Sequence, residues 1–569
     1  MRMKKKYLVL FVLCLLAQWT MAQAPKWVEK AKKAVFSVIT YDKDDKILNT
    51  GNGFFVSEDG VALSDYSLFK GAERALILNS EGKQMPVEEI MGADDMYDVI
   101  KFKVAITEKK VPALQMAATV PAVDSDVYLL PYSTRKDRSC TSGKVKGVDK
   151  VADNYNYYTL NMHLKEKMVS CPVMTPEGEV FGLAQQSSGK DTATICYAVD
   201  ARFVMALKIN PLSFNDMALR NIQIKKALPD TEEEALVFLY MASSQVTPEK
   251  YAELLDDFIA RYPANADGYV RRATNLLYKS KDDATMEKVV VDLDKALEVA
   301  SKKDDVYYNI AKLIYGYMLE NPEKVYKDWS YDKALEAISK AVEINPLPVY
   351  IQLQGDIQFA KQDYAASLAS YEQVNRSSMA SPATFFTTAK IKEVMQAPKE
   401  EILALMDSCV VRFTPPYTEA AAPYLLGRAQ ARMNADLPRQ ALLDYDEYFK
   451  AMNGQVNDVF YYYREQAALK SKQYQRALDD MAKAIELNPK DLTYRAELAV
   501  INIRVGRNEE ALKVLDEALK IDSKYAEAYR LKGIAQLQLK QKTEACESFA
   551  KAKELGDPNV DSLISKHCK

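Results

Sequence analysis

Hydrophobic residues change their rhythm once along this chain. From residue 36 to about residue 210 they alternate with polar ones or come in short runs, as at 36–41, 53–57, 61–64, 75–78, 85–90 and 99–104. Glycine, aspartate and asparagine punctuate these runs, as in Glu58-Asp59-Gly60. Period-two segments separated by turn signals predict many short strands, closed into a barrel or packed as a sandwich. A short amphipathic helix over 27–35 precedes them. Beyond Pro211 the glycines thin out and the period becomes 3.6, the spacing of amphipathic helices. Residues 211–230 read as a linker or packing arm, and paired helices run from Thr231 onward.

The helical part repeats. Ala477, Ala511 and Ala545 are spaced by 34 residues, as are Ala484, Ala518 and Ala552. A helix–turn–helix unit of this length, with small residues where the helices cross, resembles the tetratricopeptide (TPR) repeat. Looser copies upstream, among them the one around Tyr331-Asp332-Lys333-Ala334-Leu335, bring the expected array to about nine units over 231–558, with a cap at 559–569. The resemblance implies an all-α superhelix that holds proteins or peptides on its concave wall. In the best repeats that wall would carry Tyr462, Gln466, Lys470, Arg504 and Arg530, a set suited to an extended acidic peptide or a chain terminus. A plain solvated helix face would carry the same residue types.

The first residues bear on location. Met1-Arg2-Met3-Lys4-Lys5-Lys6, an apolar run over 7–16 and Thr20-Met21-Ala22 are the parts of a secretory signal, with cleavage expected after Ala22. The run is too short for a membrane span of about 20 residues. Cys14 follows Val12-Leu13, where a lipoprotein signal would place small residues. The expectation is a periplasmic protein, or a secreted one, with no membrane insertion after signal removal. Losing 1–22 leaves 72 basic and 79 acidic residues, which offers nucleic acid no general attraction. Six cysteines would remain, open to 15 pairings or to none. His163 and His567 are the only histidines, and no spacing suggests a metal site, a P-loop or a dinucleotide fold. No cofactor is expected.

Five landmarks in the strand-rich part resemble trypsin-like serine proteases of the HtrA/Deg type. Gly51-Asn52-Gly53-Phe54-Phe55-Val56 through Asp59-Gly60 to Gly71-Ala72 is similar to the stretch that carries the family's histidine. Asp98-Val99-Ile100-Lys101-Phe102 is similar to its aspartate strand, and Ser142-Gly143-Lys144-Val145 to the strand opening the second barrel. Pro172 and Gly178-Glu179-Val180-Phe181-Gly182 fall on the segment after the nucleophile. Ile195-Cys196-Tyr197-Ala198-Val199-Asp200 falls on the last strand. The resemblance implies a trypsin-like double β-barrel over 25–210.

In that frame the histidine position holds Ser67, the aspartate position Asp98 and the nucleophile position Val169, while Lys167 replaces the first glycine of the oxyanion turn. Acyl transfer on this fold needs a hydroxyl, an imidazole beside it and a carboxylate to orient the imidazole. The expected catalytic set is therefore none, and Asp98 reads as a hydrogen-bonded structural carboxylate. Ser170, next to the nucleophile position, is the one rescue candidate. His163 reads as a buried, hydrogen-bonded side chain or, with Lys167, as lining for a vestigial pocket. Taken together the sequence predicts a multidomain chain, an all-β trypsin-like double barrel followed by an all-α TPR superhelix. It would act as an exported binding or scaffold protein with protein or peptide partners in the cell envelope. The alternative is an active serine endopeptidase that uses Ser170 and recruits substrate through its repeats.

Overall fold

A computed structural model describes residues 24–568 apart from 135–138, 153 and 187–193, so the expected signal at 1–22 lies outside the described residues. The chain divides into two compact units after Ala300.

In the first unit, strands β1 (Val35–Tyr41), β2 (Ile47–Phe55), β3 (Val61–Ser64), β4 (Arg74–Leu78), β5 (Gln84–Asp94) and β6 (Val99–Val104) close into a barrel in the order β1-β2-β3-β6-β5-β4. A second barrel runs β10-β11-β12-β9-β8-β7, from β7 (Asp126–Leu129), β8 (Thr141–Val151), β9 (Tyr155–Asn161), β10 (Pro172–Met174), β11 (Val180–Gln185) and β12 (Cys196–Asp200). All neighbouring strands pair antiparallel. Alternation in β1 sends Phe36 and Val38 inward, where Phe36 meets Phe55 and Phe102. Burying each such ring contributes about 1.5–3 kcal/mol. Strand β2 begins six residues before the predicted strand, because the exposed stretch from Ile47 to Asn49 has no alternation to reveal it. The turn between β10 and β11 closes on Trp27, whose indole N–H donates to Pro176 O at 2.8 Å. Gly178 sits there at φ +92°, and a Cβ would lie 2.7 Å from the Trp27 ring.

Residues 211–230 are built onto the first barrel. A short helix, Met217–Arg220, leads into a strap that exchanges backbone hydrogen bonds with it: Gly71 N to Asn221 O, Gln223 N to Ala72 O, Ile90 N to Lys225 O and Ala227 N to Ile90 O, at 2.7–2.8 Å. The helices Glu232–Ala242 and Pro248–Arg261 follow. Their Phe238, Leu239, Leu255 and Phe258 join the same buried cluster as Phe36 and Phe102. This shared core is why the compact unit extends past residue 230 to take in the first two helix pairs.

Nine helix pairs run from Glu232 to Glu554 among the described residues, seven of them in the second unit. Neighbouring pairs share their apolar faces, as Ala441, Tyr445, Phe460, Ala477 and Met481 do in one cluster, the packing expected of stacked repeats. The pairs are also clamped by charge. Arg428 grips Asp444, and Arg464 grips Asp480, through paired contacts of 2.6–3.1 Å, with each aspartate side chain only 3% exposed. Planar guanidinium–carboxylate pairs of this kind fix geometry as well as energy. The last helix, Asp561–His567, is stapled back to the helix Lys542–Glu554 by a disulfide between Cys546 and Cys568. Cys140, Cys171, Cys196 and Cys409 are free thiols.

Candidate functional site between the barrels

The loops that carry Ser67, Asp98 and Val169 come together where the two barrels face each other. Ser67 lies in the one-turn helix Tyr66–Phe69 after β3, and Asp98 immediately precedes β6. Asp98 accepts two hydrogen bonds from Ser67, from the backbone N at 2.6 Å and from the hydroxyl at 3.0 Å. It does so from a left-handed backbone conformation, φ +50°, which aspartate tolerates better than most residues. The Asp98 carboxylate is therefore paired with a hydroxyl, at the position where the family resemblance implies an imidazole.

The turn expected to carry the nucleophile folds as a short 3-10 helix, Glu166–Met168, and leads into β10. Val169 is half-buried and packs with Met168 against the core of the second barrel. The first barrel holds this turn through Asn52, whose side-chain amide donates to Val169 O at 2.8 Å and to Lys167 O at 3.1 Å. Ser64 in turn donates to Asn52 O at 2.6 Å. On the far side, Gln185 of β11 donates to Tyr97 O at 2.5 Å and accepts from the Tyr157 hydroxyl at 3.0 Å, which fixes the residue before Asp98.

Ser170 sits at φ +63° and is 1% exposed. Its backbone N donates to Ala184 O at 2.9 Å, and its hydroxyl donates to Asp65 Oδ2 at 2.5 Å. The structure thus pairs Ser170 with Asp65, and Ser67 with Asp98. Burial drives the Asp65 carboxyl well above the usual range, Ser170 pulls it back, and the Asp98 charge pushes it up again. Its other oxygen, Oδ1, is buried with no hydrogen-bond partner among the described residues. Cys171, also buried, has its thiol pushed up to about 12 by desolvation and is unreactive as a thiolate at neutral pH.

His163 is exposed rather than buried. The chain alternates as it leaves β9, so Met162 and Leu164 take the core positions and the imidazole turns outward. Lys167 is also exposed. Asn52, Asp65 and Gln185 escaped the sequence reading because nothing in a linear pattern marks an amide or acid that bridges two barrels. Asp65 stands two residues before Ser67, which is the nearest thing to a signal.

Among the repeat residues, Arg530 spends its guanidinium inside the protein, on Asp557 at 2.9 Å and Glu527 at 2.5 Å. Gln466 donates to the neighbouring Glu465 at 2.7 Å. Tyr462 is half-buried against Tyr494, with ring centroids 5.8 Å apart. Lys470 and Arg504 are exposed. All five belong to the first helices of three successive repeats, Asp458–Lys470, Leu492–Arg504 and Ala526–Gln538. No group of three His, Cys, Asp or Glu among the described residues is arranged to hold a metal ion.

Comparison with known proteins agrees with this architecture. Residues 51–183 match the trypsin-like peptidase domain, and residues 468–537 match the tetratricopeptide repeat. The chain joins a trypsin-like domain to a TPR array. Over 145 residues it is 26% identical to a protein of Halomonas elongata named "Probable periplasmic serine endoprotease DegP-like", covering 24% of this chain and 29% of that one. Over 253 residues it is 22% identical to a TPR repeat-containing protein of Methanocaldococcus jannaschii, covering 43% and 41%. Over 96 residues it is 33% identical to a small glutamine-rich tetratricopeptide repeat-containing protein of Mycosarcoma maydis, covering 17% and 27%. The chain thus spans well under half the length of each of these relatives.

Proposed function

We propose that this is an exported binding protein, working in the cell envelope, whose trypsin-like domain does no peptide hydrolysis and whose repeats hold protein partners. The observation that carries the first half is the pairing between the barrels. The Asp98 carboxylate is answered by the Ser67 hydroxyl, and the one hydroxyl on the nucleophile turn, Ser170, is buried against Asp65. A serine hydroxyl cannot take a proton at neutral pH as an imidazole does, and a valine at position 169 has nothing to attack with. The TPR match and the repeat-containing relatives support the second half. The basic start of the chain supports export.

The test is reaction of the folded, full-length mature protein with a fluorophosphonate serine probe, beside a Ser170→Ala variant and an active trypsin-like control. The proposal expects labelling of the control alone. Labelling of the protein that disappears in Ser170→Ala would make it a serine hydrolase after all.

A further inference from the structure

The first unit contains a recess of about 700 Å³ that lies away from the interface between the barrels. It is lined by the edge of β4 and β5, by the end of the helix Met217–Arg220 and the strap of residues 221–227 that follows it, and by the helices Glu232–Ala242 and Pro248–Arg261. This volume is in the range of pockets that hold small organic ligands, about 300–1,000 Å³. Its inner wall is apolar, with Leu219, Ile222, Ile224, Phe238 and Leu254 all at least nine-tenths buried.

Into that wall the strap sets a cation. Lys226 donates to Ile222 O and, at 2.9 Å, to Ile224 O. An ammonium has three N–H donors, and the third has no partner among the described residues. No carboxylate pairs with Lys226 there either. Glu73 contacts Lys250 instead, at 3.8 Å, and the neighbouring Lys225 is engaged by Asp257 at 2.5 Å. The other charged lining residues, including Glu88, Arg220 and Glu253, are exposed at the rim. Desolvation, reinforced by Lys250, lowers Lys226 to about 8, and Glu73 offsets this in part. The group thus remains largely charged at neutral pH, at a cost that an incoming anion would relieve.

We propose that this recess binds a small apolar carboxylate, its hydrocarbon body against Phe238 and Leu254 and its carboxylate on the Lys226 ammonium. An acyl-chain acid and the free C-terminus of an apolar peptide share this chemistry. The site is independent of the hydrolytic question, since none of its residues belongs to the interface between the barrels.

The test is calorimetric titration of the full-length mature protein with decanoate and with N-acetyl-Leu-Leu, each beside its neutral amide. Saturable binding of either acid is expected, weakened about tenfold or more in the amide and in Lys226→Met, as loss of a charge-assisted hydrogen bond in an apolar site implies. Which acid binds identifies the source of the carboxylate. A Val246→Trp variant, checked for folding by circular dichroism, fills the recess and should abolish binding. The proposal is overturned if neither acid binds at millimolar concentration, or if acid and amide bind alike to the wild-type protein. Unchanged affinity in Lys226→Met would overturn it as well.

Discussion

The Ser170 hydroxyl reaches across from the second barrel and donates to Asp65 of the first at 2.5 Å, linking positions 105 residues apart. Ser170 is therefore a fastener between barrels in this fold. Its backbone is left-handed, which glycine accepts at no cost and alanine does not. Ser170→Ala loses the hydrogen bond and keeps the left-handed strain that serine already bears, and should destabilise the domain by about 1–3 kcal/mol. Ser170→Gly loses the bond but gains conformational ease, and should cost clearly less. Denaturant unfolding of the two variants checks the order; equal losses would mean that the backbone conformation is of no consequence.

Asp65 should respond to pH in the opposite sense to an ordinary surface carboxylate. Its folded-state pKa is raised by burial, so the stability it contributes is complete below the unfolded value near 3.8 and declines as pH rises through the folded one. Asp65→Asn removes that decline. The variant should match the wild type near pH 4 and exceed it by about 1–3 kcal/mol at neutral pH, the cost of a buried polar group left unsatisfied. Thermal melts across pH 4–8 with parallel curves would refute the assignment.

Glu465 invites a similar experiment in the repeats. It is fully buried, one carboxylate oxygen has no partner among the described residues, and it stands where the next two repeats have Ala499 and Gly533. Desolvation, then the nearby Glu497 charge, raise it to about 8, with Gln466 opposing. Its contribution to stability is present in full below the unfolded value of 4.5 and is lost as pH rises through about 8. Glu465→Gln should therefore gain on the order of 2 kcal/mol over wild type by pH 8 and nothing at pH 4. The gain should show in Tm of the full chain.

Arg530 stands among the residues predicted to face a peptide, yet its side chain is 16% exposed and engaged by Asp557, whose own side chain is 4% exposed. Arg530→Ala should lower the stability of the C-terminal repeats by about 2 kcal/mol by stranding that carboxylate. Lys470→Ala and Arg504→Ala, at exposed positions, should stay within about 0.5 kcal/mol of wild type. Hydrogen exchange in the helix Lys542–Glu554 would report the difference.

Reduction should loosen the same end. The Cys546–Cys568 bridge closes 22 residues, and loop-closure entropy assigns about 3 kcal/mol to a ring of that length. Cys568→Ser should release the helix Asp561–His567 to proteolysis while the barrel unit keeps its melting behaviour. Identical digestion with and without reductant would count against a structural role for the bridge.

Much of the architecture was written in local pattern. Alternation marked β1, β3, β4 and β6, because a half-buried strand must place its apolar residues at every second position. A 34-residue period marked the repeats, because each pair can bury its apolar face only against a neighbour with the same spacing. The landmark residues Ser67, Asp98 and Val169 could be named in advance from the motifs around them. What the linear pattern could not carry was pairing at long range. That Asp98 meets Ser67 while Ser170 meets Asp65 depends on how two closed barrels face each other. That Cys546 takes Cys568 rather than any of the other four cysteines depends on where a short last helix docks. The strap of residues 221–227 has no strand signal of its own, since its partner edge on the first barrel supplies the hydrogen bonds. The Lys226 recess exists only once that strap and the first helix pair have closed over β4 and β5. Sequence determined the elements and which residue types stand at the landmark positions. The tertiary structure decided which polar groups found partners and which were left buried without one, because desolvation and hydrogen bonding depend on neighbours that the chain brings together only when folded.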